Sequence, residues 1–187
     1  MDLPKRKRNR LEEYDYSLCG AYFVTICIAN RQPVLWADIN DINRPFPERL
    51  SETGKIVAKA INDIPAHYSD VCVDKYVIMP DHVHILIRID ENDNQCRGGY
   101  YPPENNKSML YADGGRLIAA PTLSVIIGQM KRAVSKQIGF SIWQKSFHDH
   151  VIRNEHDYKE ICRYIAENPQ KYDIDISEIL TPKGQKT

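Results

Sequence analysis

Two apolar runs at residues 71–79 and 82–89 constrain the fold more than any other part of the chain. Both are rich in β-branched residues, and only Pro80 and Asp81 lie between them. Proline and aspartate favour a tight connection, so the runs predict two adjacent antiparallel strands joined as a hairpin.

The remaining pattern predicts a strand and a helix before this hairpin, and a helix, a strand and a last helix after it. We expect strands at 21–28 and 147–152, and helices from Ser51 to about Pro65, at 123–138 and at 156–168. Proline disfavours helical geometry in the residue before it, so the last helix should stop at Asn168. The order matches an α+β, ferredoxin-like split β-α-β sheet, with two helices on one face and the other face free.

The chain of 187 residues is 42% hydrophobic, enough for one domain to bury a core without disulfides or a structural metal. We therefore expect a single domain over 1–187, with a basic arm at 1–13, a long loop at 90–121 and a tail at 170–187. Basic and acidic residues number 25 each, so affinity for nucleic acid must come from local clustering of charge.

Cysteine usage and hydropathy both bear on where the protein is found. The five cysteines are odd in number and form no CxxC pair, which indicates reduced thiols in a cytosolic protein. No run approaches the roughly 18 apolar residues of a membrane helix, and no apolar stretch follows the basic start. We predict a cytoplasmic protein without a membrane partner.

The second run of the hairpin carries two histidines among its apolar residues. Alternation along a strand places His82 and His84 on one face, with Val83 and Ile85 on the other. Two imidazoles spaced in this way can converge on one cation if further ligands come from elsewhere. The same triplet also arises by chance in chains that bind no metal.

The last predicted helix adds a nucleophile and an oxygen ligand. Tyr164 and Asn168 lie four residues apart and therefore share a helix face. A phenol can attack a phosphodiester when a divalent ion polarises a phosphate oxygen, and Asn168 would help to fix that ion. The alternative is that Tyr164 is a partly buried aromatic and Asn168 only a helix end before Pro169.

Three separated segments resemble one known family. These are YDYSLCGAYFVTICIANR at 14–31, YVIMPDHVHILI at 76–87 and IWQKSFHDHVIRNEHDYKEICRYIAENP at 142–169. They are similar to the single-tyrosine HUH transposases, especially the REP-associated tyrosine transposases. The resemblance implies that His82 and His84 bind the metal and that Tyr164 becomes linked to a DNA 5′ phosphate while a 3′ hydroxyl is released.

Three features depart from the family's pattern. Insertion-sequence members often have glutamine as a third ligand four residues after the tyrosine, where this chain has Asn168. Asp81 replaces the asparagine that is often found in MPNHVH, and the loop at 90–121 has no equivalent.

Other residues are candidates for DNA contact. Lys131 and Arg132 lie off the apolar stripe of the second helix and could meet phosphates or only solvate the helix. His150 and Arg153 resemble the family's DHxIR segment and lie next to the helix of Tyr164. The same two readings, DNA contact or ordinary surface and loop packing, apply to the basic residues of the arm and to three loop tyrosines: Lys5, Arg6, Lys7, Arg8, Arg10, Tyr100, Tyr101 and Tyr111.

These observations predict a transposase or recombinase that cleaves and rejoins single-stranded or hairpin DNA through a covalent 5′-phosphotyrosine, with Mg²⁺ or Mn²⁺ as cofactor. A homodimer is one expected assembly, because insertion-sequence relatives share active sites between subunits. One alternative is a non-catalytic nucleic-acid-binding module, since the same sheet topology serves RNA-binding domains. Another is a replication initiator or conjugative relaxase; such enzymes usually bring further domains or a second catalytic tyrosine, and the short chain argues against them.

Overall fold

The computed structural model describes residues 19–39, 45, 47–90, 111–113, 116–118 and 122–180, with the backbone alone at 111–113, 116–118 and 173–180. Its strands are β1 Gly20–Cys27, β2 Val71–Ile78, β3 His82–Ile89, β4 Tyr111–Asp113, β5 Arg116–Ile118 and β6 His148–Ile152. Its helices are α1 Glu52–Asn62, α2 Ile64–His67, α3 Leu123–Ile138 and α4 Glu155–Leu180, and Ala29–Arg31 form a single 3-10 turn.

The main sheet has four antiparallel strands in the order β2-β3-β1-β6. Strands β2 and β3 pair as the predicted hairpin, with one register shift between Val73 and Lys75. The first strand of the chain thus inserts beside β3 and pairs with β6 on its other edge. This order is that of a ferredoxin-like split β-α-β sheet, which confirms the predicted arrangement.

Both faces of β3 are buried, so the prediction of a free second face is wrong for this strand. Ile85 and Ile87 on one face are fully buried, and on the other Leu86 is fully buried and Arg88 is only 2% exposed. Helix α4 contacts β2 and β3 and covers the second face, while α1 packs against α3. The C-terminal helix therefore forms a third layer over the histidine face.

Helix α1 begins at the predicted cap but ends earlier than the sequence suggested. The Ser51 hydroxyl accepts a hydrogen bond from the Gly54 amide at 3.0 Å. The helix ends at Asn62, and Ile64 belongs to the separate short turn α2, with Pro65 in its first turn. The helical spacing of Ile56, Ala60 and Ile64 predicts that these residues form the apolar stripe, but in α1 Val57 and Ile61 are buried, and Ile56 and Ala60 are only partly buried.

Helix α3 has the predicted bounds because its caps are encoded beside its apolar stripe. The Thr122 side chain accepts from the Val125 amide, and Gly139 ends the helix in the left-handed region with φ of 95°. Leu123, Met130 and Val134 are among the residues that the helix buries.

Helix α4 continues through Pro169 to Leu180, so the predicted stop at Asn168 and the predicted start of a tail at residue 170 are both wrong. Packing beyond the proline compensates for its lost hydrogen bond, because the Tyr172 ring lies edge-on to Trp36 with centroids 5.4 Å apart. The interval 90–121 was predicted to lack regular elements, yet it contains the paired strands β4 and β5.

Several expectations concern the remainder of the chain. The basic arm at 1–13 lies outside the described residues, and so do the loop residues Tyr100 and Tyr101. Cys19, Cys27 and Cys162 are not in disulfides, but Cys72 is in one, so the expectation of reduced thiols is wrong for Cys72. Within the described part of the chain, no helix has the length and apolar character needed to cross a membrane.

Candidate active site

The two histidines of β3 converge as their alternation predicted. His82 Nε2 lies 3.1 Å from His84 Nε2, and the ring centroids are 4.7 Å apart. Each ring therefore directs the same nitrogen toward a common point at the start of the strand.

The opposite nitrogen of each ring has a hydrogen-bond partner. His82 Nδ1 is 2.6 Å from the Asp81 carboxylate, and His84 Nδ1 is 2.9 Å from the Thr25 hydroxyl. A carboxylate oxygen accepts, so His82 Nδ1 is the donor to Asp81, and Nε2 is the ring nitrogen left to face a metal ion. Outer partners of this kind fix the tautomer and orientation of metal-binding histidines.

Burial keeps His84 uncharged. The pKa of His84 is lowered to about 3, chiefly by burial and in smaller part by the neighbouring His82 and Arg31 side chains. The neutral imidazole is the form that binds a metal ion. The donor set thus fits a cation: two imidazole nitrogens face each other at 3.1 Å, and both rings are backed by oxygen groups.

Tyr164 meets this pair from helix α4. Its hydroxyl lies 3.3 Å from His84 Nε2, and its ring contacts His84 edge-on with centroids 5.3 Å apart. Phe23 on β1 supports both groups, stacking on His84 at 5.1 Å and meeting Tyr164 edge-on at 5.9 Å. Tyr164 remains 41% exposed, so this part of α4 is open to solvent.

A buried polar cluster holds α4 on the sheet. Arg88 of β3 donates to Asp74 at 3.3 Å, and the Tyr158 hydroxyl of α4 donates to the other oxygen of the same carboxylate at 3.0 Å. Burial raises the pKa of Asp74, although Arg88 and Tyr158 both act to lower it. Tyr158 lies six residues before Tyr164, so its hydrogen bond to Asp74 fixes this part of α4 over the histidines.

Asn168 lies one turn beyond Tyr164 and is half-buried. Among the hydrogen bonds of the described residues, none joins Asn168 to His82 or His84. No group of three or more His, Cys, Asp or Glu side chains in the described part of the chain could hold a metal ion. The protein ligands gathered here are therefore the two imidazoles, and Asn168 as a third ligand stays a prediction.

The four predicted DNA contacts lie in different surroundings. Lys131 is half-buried and donates to the carbonyls of Gln144 at 2.8 Å and Ser146 at 3.3 Å, so it holds a loop. Burial lowers the pKa of Lys131. Arg132 and Arg153 are exposed.

His150 is the fourth predicted contact, and it lies on the face of the sheet that carries the active site. It pairs with Phe23 in the sheet, and its side chain contacts Asp157 of α4 at 2.8 Å. Its place beside Phe23 follows from the pairing of β1 with β6.

Sequence reasoning missed the supporting residues because they depend on strand register. Thr25 and Phe23 belong to an apolar run, and only the pairing of Thr25 with His84 reveals their role. Arg31 donates to Asp81 at 3.2 Å from a turn in which Asn30 and Arg31 both have positive φ. Such non-glycine conformations cost energy and often occur at functional sites, a signal that the sequence does not carry.

No protein-family model matches the chain. A protein of Haemophilus influenzae whose function is uncharacterised is 30% identical over 175 residues, which cover 91% of both chains. A second Haemophilus influenzae protein, named as a putative REP-associated tyrosine transposase, is 24% identical over 161 residues, covering 84% of this chain and 74% of its own. The solved structure of a REP-associated tyrosine transposase bound to a REP hairpin aligns with a TM-score of 0.55 at 19% identity, over 87% of this chain and 74% of that one.

The chain is similar in sequence to a putative REP-associated tyrosine transposase and similar in fold to the structure of one. It shares with the hairpin-bound structure a mixed α/β architecture with a four-stranded antiparallel sheet. The likeness between the structures is one of fold alone.

Proposed function

We propose that this protein cleaves and rejoins single-stranded DNA, with the Tyr164 hydroxyl as nucleophile and a divalent ion held by His82 and His84. One observation carries the proposal: the hydroxyl of a partly exposed tyrosine lies 3.3 Å from the nitrogen of a buried, neutral histidine that also faces a second histidine. Core packing alone gives no reason for two imidazoles and a phenol to turn their polar atoms toward one point.

The metal belongs to the proposal because the donor set suits it. When bound, a divalent ion would polarise a phosphate oxygen and offset the negative charge that develops on the phosphate. His82 and His84 would hold it, oriented by Asp81 and Thr25. Mg²⁺ or Mn²⁺ is the expected ion, and Asn168 is the proposed third protein ligand.

The transfer itself conserves the phosphodiester. The Tyr164 oxygen forms a bond to phosphorus, the bond from phosphorus to the 3′ oxygen breaks, and that oxygen takes up a proton and leaves as a 3′ hydroxyl. The phenolic proton passes to solvent, to which Tyr164 is open. Rejoining is the reverse reaction, with a 3′ hydroxyl attacking the 5′-phosphotyrosine, so neither ATP nor hydrolysis is needed.

The proposed substrate is single-stranded DNA beside a hairpin. The hairpin is part of the proposal because a fold relative was solved with a REP hairpin bound. The single-stranded part of the proposal rests on the exposure of Tyr164, which is 41%, because the phosphate of an unpaired backbone can approach such a side chain closely.

The direct test incubates the purified protein with labelled single-stranded DNA from the region flanking its own gene, with Mn²⁺, and follows a covalent adduct on denaturing gels. Tyr164→Phe should abolish the adduct, and His84→Ala should reduce it by at least about a hundredfold, the scale expected when a metal contribution is lost. Tyr76→Phe is the matched control, because it removes a tyrosine hydroxyl that accepts from the exposed Asn62 side chain and makes no contact with the histidine pair in the described part of the chain.

A non-catalytic binding module is the rival reading. It predicts DNA binding without an adduct on all such substrates, and no effect of Tyr164→Phe on any function. The convergence of the three side chains favours the enzyme, because a binding platform has no need for His82 and His84 to face one another.

A further inference from the structure

We infer that a groove along α3 is a second nucleic-acid surface, which holds the single-stranded DNA next to the cleaved phosphate. This inference rests on the proposed function and adds a place for the strand outside the catalytic site. The groove has a volume of about 410 Å³ and lies between α3 and the segment that leads to β6. Arg132, Ser135, Lys145 and Ser146 are among its lining residues.

The first reason to infer nucleic-acid binding at the groove is its charge. Between Thr122 and Phe147 the sequence carries four cations, Lys131, Arg132, Lys136 and Lys145, and no aspartate or glutamate. The whole chain has equal numbers of basic and acidic residues, 25 each. Three of these cations, Lys131, Arg132 and Lys145, line the groove, and clustered positive charge is the electrostatic mark of a nucleic-acid contact.

The second reason is that the cations of the groove differ from other lysines of the protein in their ion pairs. On α1 and α4, Lys55, Lys59, Lys159 and Lys171 each form an ion pair with a carboxylate three or four residues away. In the described part of the chain no carboxylate lies within ion-pair distance of Arg132 or Lys145. These two side chains line the groove with their charges available to phosphates.

Lys131 holds the shape of the groove, because it binds the loop that forms the wall opposite α3. The ammonium group donates to the carbonyls of Gln144 and Ser146, and the Trp143 indole donates back to the Lys131 carbonyl at 3.1 Å. Lys131 therefore holds the groove open and is not itself a free cation. The charges offered to a ligand are those of Arg132 and Lys145.

An exposed aromatic side chain favours an unpaired strand over a duplex. Phe140 is 66% exposed and immediately precedes Ser141, which lines the groove. Unpaired bases stack on such a ring, whereas the bases of a duplex already stack on each other. Cations for the backbone and a ring for a base together make a surface for single-stranded DNA.

The wall of the groove is joined to the catalytic end of the sheet. The Gln144 amide donates to the Cys27 carbonyl at 2.9 Å, and Cys27 pairs with His82 on the neighbouring strand. Adjacent β-strands lie about 4.8 Å apart. A DNA strand that leaves the groove can therefore reach the histidine pair by passing around the end of the sheet. Arg31, whose side chain is 55% exposed, lies at that end.

The test measures the affinity of a labelled 20-nucleotide thymidine strand by fluorescence anisotropy at several salt concentrations, in the full chain carrying Tyr164→Phe to prevent cleavage. Adding Arg132→Gln with Lys145→Gln should weaken binding roughly tenfold or more and reduce the slope of log K against log salt by about 1.4, for two lost phosphate contacts. Phe140→Ser should weaken it by about fivefold or more with no change in the salt slope.

The matched control is Lys55→Gln with Lys59→Gln, which removes the same charge from an exposed face of α1 and should leave binding unchanged. The inference is overturned if both groove variants bind like this control, or if they weaken binding of duplex DNA but not of the single strand. Adduct formation by the wild-type protein tests the proposed function separately. Weaker binding by the groove variants without any adduct from the wild type would contradict the catalytic proposal alone. An adduct from the wild type with unchanged binding by the groove variants would contradict the groove proposal alone.

Discussion

At the scale of single residues, the site depends on groups that orient the histidines as much as on the histidines themselves. Asp81 accepts from His82 Nδ1 and also from Arg31, so one carboxylate ties the start of β3 to the turn after β1. The family resemblance leads one to expect asparagine here. An aspartate makes the stronger acceptor, since its negative charge adds to the hydrogen bond.

Replacing Asp81 by alanine should therefore weaken Mn²⁺ binding by about 10- to 100-fold, the usual effect of losing an outer partner of a metal-binding histidine. Asp81→Asn should lose less, because the amide oxygen can still accept from Nδ1. Electron paramagnetic resonance of free Mn²⁺ during titration measures this without reference to activity. Asp63→Ala, which removes an exposed partner of Lys59, is the control. Wild-type affinity in Asp81→Ala would show that the carboxylate does not support the ligand.

Asp74 should give stability a particular dependence on pH. Its pKa is raised above the usual 3.8 by burial, so within the window between 3.8 and the raised value the folded state binds more protons than the unfolded state. The contribution of Asp74 to stability is therefore greatest at low pH and falls as pH rises through this window. Urea unfolding of the wild type and of Asp74→Asn, from pH 7 down to pH 4, gives the test. The wild type should lose stability relative to the variant as pH rises, and a difference that is flat or rises would contradict the assignment.

At the scale of elements, some features follow from the sequence and others only from packing. Helix α3 could be predicted to the residue because Thr122, the apolar stripe and Gly139 are all local signals. Strand β3 could be placed for the same reason, since alternation alone puts His82 beside His84 on one face. The end of α4 could not be predicted, because the contact that carries the helix past Pro169 joins Tyr172 to a residue 136 positions earlier, Trp36.

Helix α1 offers a test of how closely an element must pack to hold the site. A Cβ at Gly54 would lie 2.2 Å from the backbone oxygen of Leu35, whose amide donates to the carbonyl of Pro80 just before the histidine strand. Gly54→Ala should therefore destabilise the fold by on the order of 3 kcal/mol, because neither backbone can move aside cheaply. Gly128→Ala on α3 meets nothing within 4 Å and should stabilise by about 0.5–1 kcal/mol. Thermal unfolding of both variants measures these changes in stability. A Gly54→Ala protein as stable as the wild type would contradict the close approach of the two backbones.

At the scale of the whole molecule, the candidate site is assembled within one chain. Tyr164 on α4 and His84 on β3 are 80 residues apart in sequence, yet their polar atoms lie 3.3 Å apart. The sequence predicted these residues but could not show their meeting, because it depends on the third layer formed by α4. Homodimerisation, which stays an open expectation, is not needed to complete the site.

A mixing experiment tests this assembly in one chain. His84→Ala and Tyr164→Phe proteins each lack one half of the site, so a mixture should form no more adduct than either alone. If helices were exchanged between subunits, the mixture would restore adduct formation, because some sites would receive an intact histidine pair and an intact tyrosine. The wild-type protein at the same total concentration is the reference.

The measurement that tests the central claim most directly is mass spectrometry of the covalent adduct after nuclease and protease digestion. The account predicts that a nucleotide remains joined through its 5′ phosphate to the peptide that contains Tyr164, and that fragmentation assigns it to this residue rather than to Tyr158 on the same helix. A remnant on another residue, a 3′-phosphate linkage, or no remnant on active protein would contradict it.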